Sequence, residues 1–119
     1  MGLTFIAMRV MNSAKPKKSE EIRFLVDSGA MYSLVPAVML RKLGIKPEGV
    51  KEFVLANGEV IRRSIGNALF EYNDERRASP VIFGEGKDDP LVGVVTLESF
   101  GYVLDPLRRE LRPAKLLLG

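Results

Sequence analysis

Phe24-Leu25-Val26-Asp27-Ser28-Gly29-Ala30 places a carboxylate directly after three apolar residues and directly before a hydroxyl, a glycine and an alanine. Ile22 to Val26 reads as a strand, and its last three residues are apolar, so Asp27 is expected at the end of a buried strand. A carboxylate there is costly unless it is hydrogen-bonded, and the Ser28 hydroxyl and the Gly29 N–H are the donors within reach. Gly29 has no Cβ to keep its N–H away from the carboxylate. The tripeptide alone also fits an ordinary turn in which an Asp caps its own backbone. The apolar residues before it and Ala30 after it argue against an exposed turn.

The rest of the chain limits what such a carboxylate could do. With 119 residues there is room for one domain, 1–119, and a site that needs two lobes must borrow one from another chain. The sequence contains no His and no Cys. That excludes Ser-His-Asp and Cys-His catalysis, thiolate and imidazole metal sites and disulfides, leaving carboxylates, Lys, Tyr and hydroxyls as the available chemistry. No cofactor and no metal are expected. Asp88 and Asp89 lack the spaced oxygen ligands of a calcium loop and read as a solvated turn. Tyr32, Tyr72 and Tyr102 read as core or cleft-wall aromatics.

The net charge is +3, from 18 Lys and Arg against 15 Asp and Glu. Of the basic pairs Lys17-Lys18, Arg62-Arg63, Arg76-Arg77 and Arg108-Arg109, all but Arg62-Arg63 have an acid within two residues, so no long one-sign stripe marks a nucleic-acid track. Arg9 interrupts the apolar stretch Leu3 to Met11, which lacks the pattern of a secretory leader, and no run approaches the ~20 apolar residues of a membrane span. The expectation is a cytoplasmic protein with no nucleic-acid or membrane partner.

Outward from the central stretch, Leu3 to Met11 reads as a strand, Asn12 to Glu20 as a polar loop and Ile22 to Val26 as a strand. Pro36 at a first helical position, apolar Met39, Leu40 and Leu43 on one face, and Gly44 as a stop predict a short helix. Asn57-Gly58 between Phe53–Ala56 and Glu59–Ile65 predicts a hairpin with a type I′ turn. Leu69–Tyr72 and Ala78–Phe83 form another hairpin about Asn73 to Glu75. Leu91 to Gly93 is a brief buried strand, Thr96 caps a helical turn through Phe100 that Gly101 stops, and Tyr102–Leu104 pairs with Glu110–Leu118. Many short strands and two short helices predict an all-β barrel or sandwich. Phe24 to Gly29 and Pro90 to Gly93 also echo one another, since each is an apolar strand that ends at a glycine and precedes a helix.

Three of these segments, in order, carry a family resemblance. Phe24 to Pro36 resembles the active-site segment of retropepsin-like aspartic proteases, with its apolar-apolar-Asp-Thr/Ser-Gly-Ala pattern. Pro90-Leu91-Val92-Gly93 with the following helix is similar to the family's second motif, which packs beneath the catalytic loop. Val54 to Ile61 between them resembles the flap, a hairpin with a glycine tip. The match runs from about Ile22 to Asp105 and looks closest to the small prokaryotic members.

The resemblance implies a closed acid-protease barrel half with a flap hairpin, and a symmetric homodimer that acts on peptide or protein substrates. Asp27 of each chain would form a catalytic dyad, supported by Ser28, Gly29 and Ala30, with Ser28 hydroxyls bonding across the dimer. Ala56, Asn57 and Gly58 would close over substrate, and Leu91, Val92 and Gly93 would support the loop from below. Two sequence features depart from the viral pattern. Met31 and Tyr32 stand where viral members carry acids that grip the substrate backbone, and Val94 and Val95 replace a polar pair that supports the catalytic loop. Glu110 to Leu118 extends past the family's usual end and is expected, with Leu3 to Met11, to supply the dimer sheet. The same residues also fit a dimeric module that binds peptides by strand addition without cutting them, or a structural domain in which Asp27 is a satisfied turn residue.

Overall fold

The computed structural model describes residues 3–105 and 107–114. Among these residues nine strands and two helices follow in the order β1 (Phe5–Asn12), β2 (Lys15–Val26), β3 (Ser33–Pro36), α1 (Ala37–Lys42), β4 (Gly49–Val54), β5 (Val60–Tyr72), β6 (Glu75–Gly84), β7 (Leu91–Val92), α2 (Val94–Ser99), β8 (Tyr102–Asp105) and β9 (Glu110–Pro113). The fold is all-β with two short helices, as the sequence predicts. Seven strands make one sheet in the order β1-β2-β7-β3-β6-β5-β4, with β1 also pairing β5, and β8 and β9 form a separate two-stranded sheet.

The core follows from residue alternation. Met8 and Val10 on β1, Ile22, Phe24 and Val26 on β2, and Ala68 and Phe70 on β5 point inward, while Arg9, Glu21, Arg23 and Asn67 between them face water. Phe24 and Phe70 meet with ring centroids 6.0 Å apart, and the fully buried Phe83 joins the same cluster. Helix α1 closes one side with Leu40 buried and Met39 packed against the core, and Leu43 just beyond it is buried as well. The Met39, Leu40 and Leu43 face is the one expected.

Several local expectations need correction. Asn12 to Glu20 is not a loop: Asn12 Oδ1 accepts the Ala14 N–H at 3.0 Å, the chain turns, and Lys15 to Glu20 runs back as the solvated arm of β2. Its polar composition hides a strand because neither face of that arm enters the core. Ser33–Pro36, given no strand by the sequence, is β3, pairing parallel to β6 from Ser33↔Val81 to Pro36↔Gly84. The two strands expected within 59–72 are one, β5, which continues through Gly66 where a Cβ would stand 3.1 Å from Lys46 O and from the Phe83 ring.

The left-handed turn is also misplaced by the sequence reading. At Asn57-Gly58 only Gly58 has positive φ (85°), with the Gly58 N–H donating to Leu55 O at 2.9 Å, so the loop has three residues instead of a two-residue type I′ turn. The positive-φ pair sits at Asn73 (50°) and Asp74 (63°), which join β5 to β6. Thr96 does not cap α2, because the helix starts two residues earlier with Gly93 at its N-cap. Gly101 does stop it, with φ 79°. The final hairpin forms from Tyr102↔Pro113 to Asp105↔Glu110, and the rest of the expected strand, 115–118, lies outside the described residues.

Candidate active site

Strand β2 ends against β7, and that pairing places Asp27. Leu25 and Val26 lie beside Leu91 and Val92 in parallel register, so the two segments that echo one another in sequence are neighbours in space. The Val26 N–H donates to Thr4 O at 2.8 Å, and the Asp27 N–H donates to Val92 O at 3.0 Å. Just past this pinned strand end the Gly29 N–H donates to Asp27 Oδ1 at 2.9 Å and the Ala30 N–H to Asp27 O at 3.2 Å. Gly29 supplies the hydrogen bond expected of it. Asp27 is half-buried, as is Ala30, while Ser28 and Gly29 are exposed on the same loop.

Gly93 fits tightly beneath that loop. The Val94 N–H donates to Ala30 O at 2.8 Å and the Val95 N–H to Met31 O at 3.0 Å, so the first turn of α2 uses its free donors to hold the loop's carbonyls. A Cβ on Gly93 would lie 2.7 Å from Tyr32 O and 2.8 Å from Ala30 O and Met31 O. Val92 is fully buried, and Leu91 reaches the cleft described below. The second motif therefore meets the Asp27 loop through backbone.

Polar support for the loop comes from three hydroxyl residues that carry no such role in the sequence, Thr96 being expected only as a helix cap. Ser33, Ser79 and Thr96 are fully or nearly fully buried, at 0%, 2% and 0% exposure. Thr96 Oγ1 is hydrogen-bonded to Ser33 Oγ at 2.5 Å and to Ser79 Oγ at 2.7 Å, and Ser33 Oγ accepts the Gly93 N–H at 3.0 Å. This chain of hydroxyls ties β3, β6 and α2 to the second motif where Val94 and Val95 offer no polar side chain. The signal available in sequence is Thr96 on a short helix, which resembles a cap. Thr96→Val keeps the shape but removes the hydrogen-bond partner that Ser33 and Ser79 share, and it is expected to lower the unfolding free energy by about 1–3 kcal/mol in a denaturant titration.

Above Asp27 lies a cleft of about 590 Å³. Asp27, Gly29 and Ala30 line it on the loop side, Tyr32, Leu34, Ile82 and Leu91 form much of the wall, and Phe53 to Ala56 with Ile61 cover it from the β4–β5 hairpin. Ala56 reaches the cleft as expected of a flap residue; Asn57 and Gly58 at the tip do not line it. Tyr32 packs edge-on against Phe53 with centroids 6.4 Å apart, joining the wall to the hairpin. Met31 also lines the cleft with 66% of its surface exposed, so the position that departs from the viral pattern is indeed apolar here. Ser28 lies outside this cleft and borders smaller hollows, one of them lined by Val94, Glu98, Val103 and Leu104.

Apart from Asp27, Arg63 is the only charged residue among those lining the cleft. Its Nε donates to Asp88 Oδ2 at 2.7 Å and its Nη2 to Asp88 Oδ1 at 3.3 Å. Asp88 is thus a paired residue and not the solvated turn acid the sequence suggested. The Arg63 guanidinium holds the Asp88 carboxyl below the usual carboxylate range. The stability it contributes is present above the ordinary Asp range near pH 3.8 and is lost as the pH falls through the lowered value.

Comparison with known proteins adds to this geometry. The family described as Aspartyl protease matches residues 13–94, which takes in the Asp27 loop, the flap hairpin and the second-motif glycine. The chain belongs to the aspartyl protease family. Its fold is retropepsin-like. The EIAV protease complexed with an inhibitor superposes with a TM-score of 0.63 at 12% identity, covering 98% of this chain and 94% of that one. A retropepsin-like aspartic protease from Rickettsia conorii gives a TM-score of 0.62 at 24% identity, covering 87% of this chain and 77% of that one. A search among curated proteins found no match.

Proposed function

We propose that the protein is an aspartic endopeptidase that works as a symmetric homodimer, with Asp27 of both chains forming one catalytic dyad. The observation that carries this reading is a half-buried carboxylate fixed by the Gly29 N–H on the floor of a mostly apolar cleft, under a hairpin, in a chain of the aspartyl protease family. Each chain offers one such carboxylate. Two of them facing each other across a two-fold axis resist double ionisation and share a proton. The ionised member takes a proton from a bound water as it attacks the scissile carbonyl, and the protonated member hydrogen-bonds to the carbonyl oxygen as negative charge develops there. Ser28 and Ala30 hold the loop, and Ala56, Asn57 and Gly58 close over the substrate.

Other features support a dimer of closed barrel halves. The β1–β5 pairing at Arg9–Met11 joins the first strand back to the sheet, consistent with closure. Among the described residues β2 pairs along all of β1 and β5 pairs Arg9–Met11 on its other side, so Phe5–Met8 has no strand partner on that side. Thr4 Oγ1 donates to Arg109 O at 3.1 Å, so the N-terminal segment lies beside the β8–β9 hairpin expected to share a dimer sheet. The apolar rim of the Ser28 hollow includes Val103, 48% exposed.

The test is incubation of the purified protein with a library of extended peptides between pH 4 and 7, with mass measured in the same buffer. Internal cleavage by a dimer is the expected result. Peptide binding with no cleavage would leave a strand-addition module, and cleavage by a strict monomer would contradict the shared dyad.

A further inference from the structure

The β4–β5 hairpin is attached to the rest of the sheet at one end only. Strand β5 pairs with β6 from Ile65 to Tyr72, whereas Val60–Ser64 pairs only with β4, itself the edge strand. Among the described residues, the projecting arm formed by 50–64 therefore has no backbone partner beyond itself. Among the described residues, the only side-chain hydrogen bond or ion pair leaving this arm is the one from Arg63 to Asp88. The pair is partly enclosed, its side chains 18% and 20% exposed.

The receiving end is rigid. Asp88 Oδ2 also accepts the Glu85 N–H at 2.9 Å, and the Asp88 N–H donates to Glu85 O at 3.0 Å, so the carboxylate closes its own loop, Gly84 to Pro90. That loop leads into β7, and Pro90 O accepts the Leu25 N–H two residues before Asp27. Charge makes the tether more than incidental. Lys51 lies directly across from Arg63 in the antiparallel register, a like-charge pair at the root of the arm that would splay its strands if nothing offset it. Asp88 supplies the negative charge that lets the two cations stand opposite one another.

We propose that Asp88, acting through Arg63, is a positioning residue that latches the root of the flap arm to the loop entering the second motif, so that only the tip beyond it moves when substrate enters. The role in substrate entry rests on the protease reading, but the latch itself is a property of the free protein and is measured without catalysis. A single partly enclosed ion pair adds little to global stability, so a structural role alone predicts a small, uniform effect. A latch predicts a local one.

Amide hydrogen exchange read by mass spectrometry separates the two. In Asp88→Asn, amides of 51–54 and 60–64 should exchange ~10-fold faster while those of β2 and β6 stay unchanged. Adding Lys51→Glu to that variant removes the cross-strand repulsion but not the loss of the tether, so most of the faster exchange should remain. Unchanged exchange in Asp88→Asn, a rise spread evenly over the whole sheet, or full recovery with Lys51→Glu overturns the latch. On a peptide the wild type cleaves, Asp88→Asn should raise KM about tenfold with a smaller change in kcat, and equal falls in both kcat and kcat/KM would contradict a role in substrate entry. If the wild type cleaves nothing, the protease reading fails and the exchange result still decides the latch.

Discussion

Asp27→Asn is expected to lower peptide turnover at least ~10³-fold while the protein stays folded and dimeric. The substitution keeps the side-chain oxygen that accepts the Gly29 N–H at 2.9 Å, so the loop loses its charge but keeps an acceptor in the same place. What disappears is the group that takes the proton from water. An amide neither accepts that proton nor shares one with a facing carboxylate, and the chain has no His or Cys to stand in. The check is a progress curve on the best library peptide, alongside far-UV circular dichroism and a mass measurement. Residual cleavage within tenfold of wild type would remove Asp27 from the mechanism.

Gly93→Ala should produce the largest loss of stability of the variants considered, ~3 kcal/mol or more, because the new methyl has nowhere to go. Three carbonyl oxygens lie 2.7–2.8 Å from the position its Cβ would take. None belongs to a flexible side chain. To make room, the loop from Ala30 to Tyr32 must lift away from α2, stretching the hydrogen bonds from the Val94 and Val95 N–H groups and shifting the segment that carries Asp27. A chemical denaturation curve gives the stability, and the peptide assay should fall with it even at temperatures where the variant remains folded. Wild-type stability in this variant would mean that α2 does not sit directly against the loop.

The elements that could be read from sequence have a local cause. Asp27 stands out because an apolar run ends on a carboxylate, and the structure puts it at the end of a strand pinned by Thr4 O and Val92 O. Helix α1 was legible from the spacing of Met39, Leu40 and Leu43, and the all-β class from the frequent turn residues. What was missed depends on partners distant in sequence. The β2 arm from Lys15 to Glu20 is polar on both faces and becomes a strand only because β1 supplies its hydrogen bonds. Strand β3 is four residues that end on a proline, and its partners on β6 lie 48 positions away.

The site divides the same way. The loop and the second motif carry signatures in their own residues, whereas Ser33, Ser79 and Thr96 are ordinary hydroxyl residues whose meeting required the fold. Asp88 was misread for the same reason, since Arg63 is 25 residues away. Turn handedness was misassigned because Asn-Gly favours two left-handed residues in isolation, while the flap arm needs only Gly58 in that region to close a three-residue loop.

The central claim, that two chains build one site, is tested most directly by subunit mixing. Wild-type protein at fixed concentration is exchanged with an equal amount of Asp27→Asn chains. If each dimer needs both carboxylates, mixed dimers are dead and activity settles at about half the starting value, falling further as more variant is added. Activity that stays constant as variant is added would show that each chain carries a complete site, and would contradict the account.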